Sequence, residues 1–278
     1  MTNRFIPLLT LTILCLCSAL QAQIPHYTKE YTQTLNQTES KDYQMSVNFG
    51  SPVQRISGYS FNVDTTVDML ITSSNLCQKC QDDGSVIRYN QAASTTAKNI
   101  TKEPETYYLP GKLEIQGIKV RDTVCVLSDV PCQSNVTFFA VTDYSDKTTL
   151  DIFGLGISKG GQAPSYITAL WHEKLIDTRS VFLHLNPGSS VNGTDSDQPS
   201  SLIEFGRHRI DAEDKGYIDG KFHNHRYALQ NDTLLDRTLM VLNLTSASVS
   251  GDPFVENTKA VIASNQQRLF VFGGSMQD

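Results

Sequence analysis

The stretch Phe61-Asn-Val-Asp-Thr-Thr-Val-Asp-Met-Leu-Ile-Thr-Ser-Ser-Asn-Leu-Cys-Gln-Lys-Cys80 governs the reading of the whole chain. Phe61 and Val63 flank polar Asn62, the alternation of a strand with one buried face. The strand delivers one acidic residue, Asp64, to a polar turn. A second apolar run, Met69-Leu70-Ile71, follows, and then a cysteine pair. The order is strand, carboxylate at the tip, strand, short cysteine loop.

Working outward, the N-terminus carries Arg4 ahead of an apolar run from Phe5 to Leu20, then small residues. That pattern is a secretory signal peptide over residues 1–22, with cleavage between Ala19 and Gln23. The run is short for a membrane span, and no later run approaches spanning length. The expected location is therefore secreted or lumenal, an endomembrane or lysosome-like compartment included. The 278 residues suffice for one large or two small domains. A net charge of -6 argues against a nucleic-acid or anionic-membrane partner, because both require clustered positive charge.

Four cysteines lie beyond the signal: Cys77, Cys80, Cys125 and Cys132. In an oxidising compartment they form two disulfides, most simply Cys77–Cys80 and Cys125–Cys132, although four cysteines allow three pairings. Zinc is the competing reading of Cys77-x-x-Cys80. The second pair is wider and no suitable histidine lies beside either, so no metal or other cofactor is expected. Sequons at Asn36, Asn99, Asn135, Asn192, Asn231 and Asn243 behind a signal peptide point to a glycosylated surface.

Residues 24–42 are polar and are expected to cross the surface before the first strand. Tyr43 to Asn48 alternates as a half-buried strand, Gly50-Ser-Pro52 makes a turn, and Ile56 to Val63 leads to Asp64. Glu105 to Gly111 opens a hairpin whose return strand runs through Gly117-Ile-Lys-Val-Arg-Asp-Thr-Val124. Leu150-Asp-Ile-Phe-Gly-Leu-Gly156 is a short strand with a glycine that lets backbones approach. Ser165 to Lys174 is the one convincing helix, with Ile167, Leu170 and Trp171 at helical spacing after Pro164. Ser180 to Leu185 and Ser201 to Gly206 are further strands, separated by a Gly/Ser/Asn/Asp-rich loop.

In this order, the segments resemble the pepsin-like aspartic proteases. Asp64-Thr65-Thr66-Val67 stands where the family has Asp-Thr-Gly-Ser before an apolar strand and a cystine loop. Tyr43, Val47, Gly50, Pro52 and Gln54 match its Tyr-x-x-x-Ile-x-x-Gly-Thr-Pro-x-Gln segment. Ser94-Thr95-Thr96 matches a Ser-Ser-Thr turn, and Ile152-Phe-Gly154 its Ile-Leu-Gly strand. The resemblance covers residues 43 to 262, densely in the first half and thinly in the second. It implies a mainly β, pepsin-like acid-protease fold with a near-complete first β-barrel lobe over 23–178, carrying Asp64. Residues 179–278 would form a partial second lobe, since the chain stops at Asp278 well short of a closed second barrel.

The same resemblance implies site residues. Asp64 is one catalytic carboxylate, supported by Thr65, and Tyr107 or Tyr108 is the tyrosine of a flap that closes over bound peptide. Family chemistry needs two carboxylates within about 3 Å that share one proton, one acting on water and the other on the substrate carbonyl; the two titrate as a pair. Thr66 replaces the glycine that lets the two loops approach, and Val67 replaces a serine that orients the carboxylate. In the second loop, Ala260-Val-Ile-Ala-Ser-Asn-Gln266 puts Ala263 where the second aspartate belongs. Losing one acid–base partner lowers rate by about 10²–10⁴-fold or more.

Other chemistry has little to stand on. His172, His184 and His208 lack a nucleophile elbow or an activated cysteine. His223-Asn-His225 has no zinc-finger spacing around it, and Asp211, Glu213 and Asp214 read as a solvated turn. The expectation is a secreted pepsin-like relative that binds peptide or protein, with impaired hydrolysis. The alternatives are an active acid endopeptidase, completed by further C-terminal sequence or by homodimerisation, and a non-enzymatic secreted glycoprotein.

Overall fold

The computed structural model describes residues 31–37, 43–54, 61–77, 79–80, 88–109, 113–126, 132–144, 150–158, 165–185, 201–206, 228–232, 237–249, 252–261 and 271–272. The described chain is mainly β, and its largest sheet is a nearly closed barrel. Its strands are β1 (Tyr31–Thr34), β2 (Asn36–Gln37), β3 (Tyr43–Met45), β4 (Val47–Phe49), β5 (Phe61–Asp64), β6 (Ile71–Ser73), β7 (Lys98–Asn99), β8 (Glu105–Leu109), β9 (Leu113–Val126), β10 (Gln133–Tyr144) and β11 (Ile152–Gly154). Helix α1 (Ser165–His172), β12 (Val181–His184) and β13 (Leu202–Phe205) follow.

The barrel arises from one short junction. The alternation read over 43–48 holds, with Tyr43, Met45, Val47 and Phe49 buried and Ser46 exposed. The run is two strands rather than one, because they pair with different partners: β3 lies against β5, and β4 lies against β9. The ladder runs β2-β3-β5-β11-β6-β10-β9-β4, with β7 and β8 also on β9. Since β3 and β4 sit near its opposite ends yet are joined through Ser46 alone, the sheet must curl back on itself.

Phe49 fills the interior that results. Its ring lies 4.8 Å from Phe138, 5.5 Å from Tyr89 and 5.8 Å from Phe61. All four are buried, and each contributes about 2–3 kcal/mol by leaving water. The Tyr89 hydroxyl is not wasted in this apolar setting, because it donates to Asp122 Oδ2 at 2.8 Å. Asp122 also accepts from the hydroxyls of Ser94 and Thr96 and from the Thr123 N–H at 2.7 Å. A buried carboxylate is tolerable only with such a set of donors. The Ser94-Thr95-Thr96 turn is thereby tied to the strand that carries Asp122.

Residues 31–37 depart from the expected surface crossing. β1 pairs antiparallel with β13 from Tyr31↔Phe205 to Thr34↔Leu202, and β12 pairs on the other side of β13. Leu35 and Gln33 are buried. The segment's polarity hides this because its partner strand lies far along the chain. Phe205 of β13 packs on Tyr166 (5.7 Å) and Phe153 (6.1 Å), so this three-stranded sheet shares the barrel's main core. β12 and β13 belong to the 179–278 segment in sequence but to this core in space.

Helix α1 starts where Ser165 Oγ accepts from the Thr137 N–H of β10 at 2.8 Å. It buries Tyr166, Ile167 and Leu170, whereas Trp171 faces outward at 39% exposure. The Arg179 guanidinium lies 4.9 Å from the Trp171 ring centre, a cation–π contact that shields its face. The helix ends at His172, short of the expected Lys174. Lys174 turns left-handed (φ 56) and Leu175 N–H closes onto Leu170 O at 2.9 Å.

A separate four-stranded antiparallel sheet follows, ordered β14 (Ala228–Asp232), β15 (Arg237–Val249), β16 (Asp252–Val261) and β17 (Val271–Phe272).

Candidate functional site

The site is built by a strand that threads between two others. β5 and β6 are consecutive in sequence, yet β11 lies between them, parallel to β5 with Gly154 opposite Asp64 and antiparallel to β6. The loop from Asp64 to Leu70 must therefore arch over β11. Backbone hydrogen bonds hold the arch down: Leu155 N–H to Asp64 O at 2.7 Å and Gly156 N–H to Val67 O at 2.8 Å. Gly154 is indispensable to this crossing, because a Cβ there would sit 2.2 Å from Met69 O and 2.5 Å from Val67 O. That is the close approach anticipated for Ile152-Phe-Gly154.

Asp64 is buried at 1% exposure. Its Oδ1 accepts both the N–H and the hydroxyl of Thr66, each at 2.7 Å. The resemblance implies a glycine at the position of Thr66 and an orienting hydroxyl at that of Val67. In the folded loop Thr66 itself supplies an orienting hydroxyl, a local turn in which the acid is held two residues from its donor. Val67 instead buries completely, in a second apolar cluster with Ile71, Ile115, Phe139 and the Cys77–Cys80 bridge. Thr65 is buried beside Asp64.

The hairpin β8–β9 approaches the same arch. Its register pairs Tyr107 with Ile115 and Leu109 with Leu113. Alternation sends Tyr107 and Tyr108 to opposite faces. Tyr107 is half-buried, its ring 5.7 Å from Phe139, and its hydroxyl donates to Asp68 Oδ1 at 2.6 Å. Tyr108 is 40% exposed. Asp68 is the residue that sequence reading passed over. Only its position four residues beyond Asp64, on the same loop, hinted at a role.

Below the arch, Asp151 ties β6 to β11. Its Oδ1 accepts from Thr72 Oγ1 at 2.8 Å and from the Ser73 N–H at 3.0 Å. Its Oδ2 has no hydrogen-bond partner among the described residues. Burial pushes its carboxyl up to about 6, against the opposing pull of Thr72, Ser73 and the Arg88 charge. Arg88 donates hydrogen bonds to Cys77 O (3.2 Å) and Cys80 O (2.9 Å), fastening the cystine loop.

Both expected disulfides, Cys77–Cys80 and Cys125–Cys132, are formed. Asn99 and Asn135 are exposed, the first with its side chain bonded to Gln91 and the second at positive φ. Asn36, Asn231 and Asn243 lie on β2, β14 and β15, while Asn192 and Ala263 lie outside the described residues, as do 1–30 with the expected signal. Among the described residues no group of three or more His, Cys, Asp and Glu side chains is placed to hold a metal. No described helix is long and apolar enough to cross a membrane.

Compared with known proteins, the chain matches no protein-family model and no curated protein sequence.

Proposed function

We propose that the protein is a secreted relative of the pepsin-like aspartic proteases that binds peptide in a cleft between the Asp64 arch and the β8–β9 hairpin. The observation that supports this most is the crossing of β11 under the Asp64 loop, with Tyr107 reaching the same loop from the hairpin. The hairpin thus meets, through Tyr107 and Asp68, the same loop that carries buried Asp64. An extended peptide there would meet backbone groups for hydrogen bonding and the partly buried Met69, Tyr107 and Leu113 that pack on the second cluster.

Hydrolysis is the weaker part of the resemblance. By the resemblance, Ala263 would stand at the second acid's position, and the Thr66-Val67 pair would depart from the family loop. The reading is therefore of binding with impaired cleavage. Two measurements test it on the purified, secreted protein. Binding of unfolded polypeptide or of a statine-type peptide mimic is expected, with little or no cleavage at acid pH. Cleavage that the statine mimic blocks and Asp64→Asn abolishes would restore the active enzyme. Failure to bind any peptide would favour a glycoprotein without a cleft function.

A further inference from the structure

We infer that Asp68 is a specificity-determining residue of this cleft and accepts the cationic side chain of a bound peptide, lysine or arginine. The inference rests on the peptide-binding reading above and adds to it the charge of the ligand.

Asp68 sits on the arch between buried Val67 and half-buried Met69, and is itself half-buried. One oxygen, Oδ1, takes the Tyr107 hydroxyl at 2.6 Å. Oδ2 has no donor among the described residues. Among the described cations, Lys79 pairs with Asp143 at 2.8 Å, Lys119 with Glu105 at 2.9 Å, and Arg88 donates to the cystine-loop carbonyls. Asp68 forms no ion pair with any described residue.

The surroundings set what such a carboxylate can do. Met69, Tyr107 and Leu113 pack partly buried against the second apolar cluster, so the charge stands at the edge of an apolar surface. A lysine or arginine suits that edge, because its aliphatic stem lies on apolar surface while its head reaches a carboxylate. A neutral ligand would leave the carboxylate's open oxygen less well satisfied than water does. The Tyr107 hydroxyl fixes the direction of Oδ1, which orients Oδ2 for the incoming donor and makes a charge-assisted hydrogen bond geometrically defined.

The test uses two degenerate octapeptide libraries, one with lysine fixed at the centre and its twin with norleucine, titrated into the wild-type protein at low and high salt. About a tenfold preference for the lysine library is expected, the discrimination of a single partly buried ion pair, and it should shrink as salt rises. Asp68→Asn keeps an oxygen for Tyr107, so the hairpin contact persists. This variant should bring the ratio to about one by weakening lysine binding alone. Tyr107→Phe keeps the charge but frees the carboxylate to rotate, and should reduce the preference without abolishing it. Equal binding of the two libraries by wild type, or a preference that survives Asp68→Asn, overturns the inference and leaves peptide binding standing. Binding of neither library overturns both.

Discussion

Thr66 donates twice to one oxygen of Asp64, through its N–H and through its hydroxyl, each at 2.7 Å. Thr66 is thus the residue that holds the acid in place. Thr66→Val should destabilise the fold by about 1–3 kcal/mol, the range for leaving a buried polar group short of a partner. Thr66→Ser should recover most of it. Urea unfolding of the three proteins measures both, and equal stability of Val and wild type would deny the hydroxyl any part.

Gly154→Ala should be among the most damaging single changes. Its Cβ would come within 2.2 Å of Met69 O, which is backbone and cannot swing away. A loss of about 3 kcal/mol or more is expected, because either β11 or the arch must shift. Soluble yield and the urea midpoint report it.

Tyr89→Phe leaves the aromatic packing around Phe49 intact and removes one donor from buried Asp122. About 1–3 kcal/mol should be lost for that missing donor. A value near zero would mean that Ser94, Thr96 and Thr123 satisfy the carboxylate without it.

Asp151 makes stability depend on pH in a definite direction. Its carboxyl is raised from 3.8 to about 6 in the fold, so the native state holds a proton that the unfolded chain has released. Stability from this residue is full below pH 3.8, declines as pH rises toward 6, and stays lower above it. The difference is about 3 kcal/mol, taking 1.36 kcal/mol per unit. Asp151→Asn keeps an acceptor for Thr72 and Ser73 and should flatten that part of the profile. Chemical denaturation of both proteins at pH 3.5 and pH 7 checks the sign: wild type minus variant must fall with pH.

The Cys125–Cys132 bridge closes a short loop between β9 and β10. Replacing both cysteines by serine should lower stability by about 2–3 kcal/mol through the freed unfolded chain. Thermal unfolding against the wild type measures it.

Much of the barrel is legible in the sequence. The two-residue period over 43–49, the polar turn after Asp64, the glycine of Ile152-Phe-Gly154 and the helix after Pro164 each follow from local sterics and hydrophobic pattern. Short-range physics also favoured the two disulfides, since each joins cysteines close in sequence. What local pattern carries is where elements begin and which residues alternate.

What it does not carry is the partner. Whether Tyr107 or Tyr108 faces the arch depends on which side of β8 meets Phe139, and alternation alone is indifferent to that choice. Trp171 shares the helical spacing of Ile167 and Leu170, yet the helix meets the barrel through Tyr166 and Leu170, leaving Trp171 to Arg179. The polar run at 31–34 becomes a strand only because β13 lies alongside it. Asp68 and Asp151 look alike as acidic residues beside apolar runs. The fold gives the first a tyrosine and an exposed edge and seals the second beneath β6, because burial and hydrogen-bond supply are set by distant segments that the chain must first bring together.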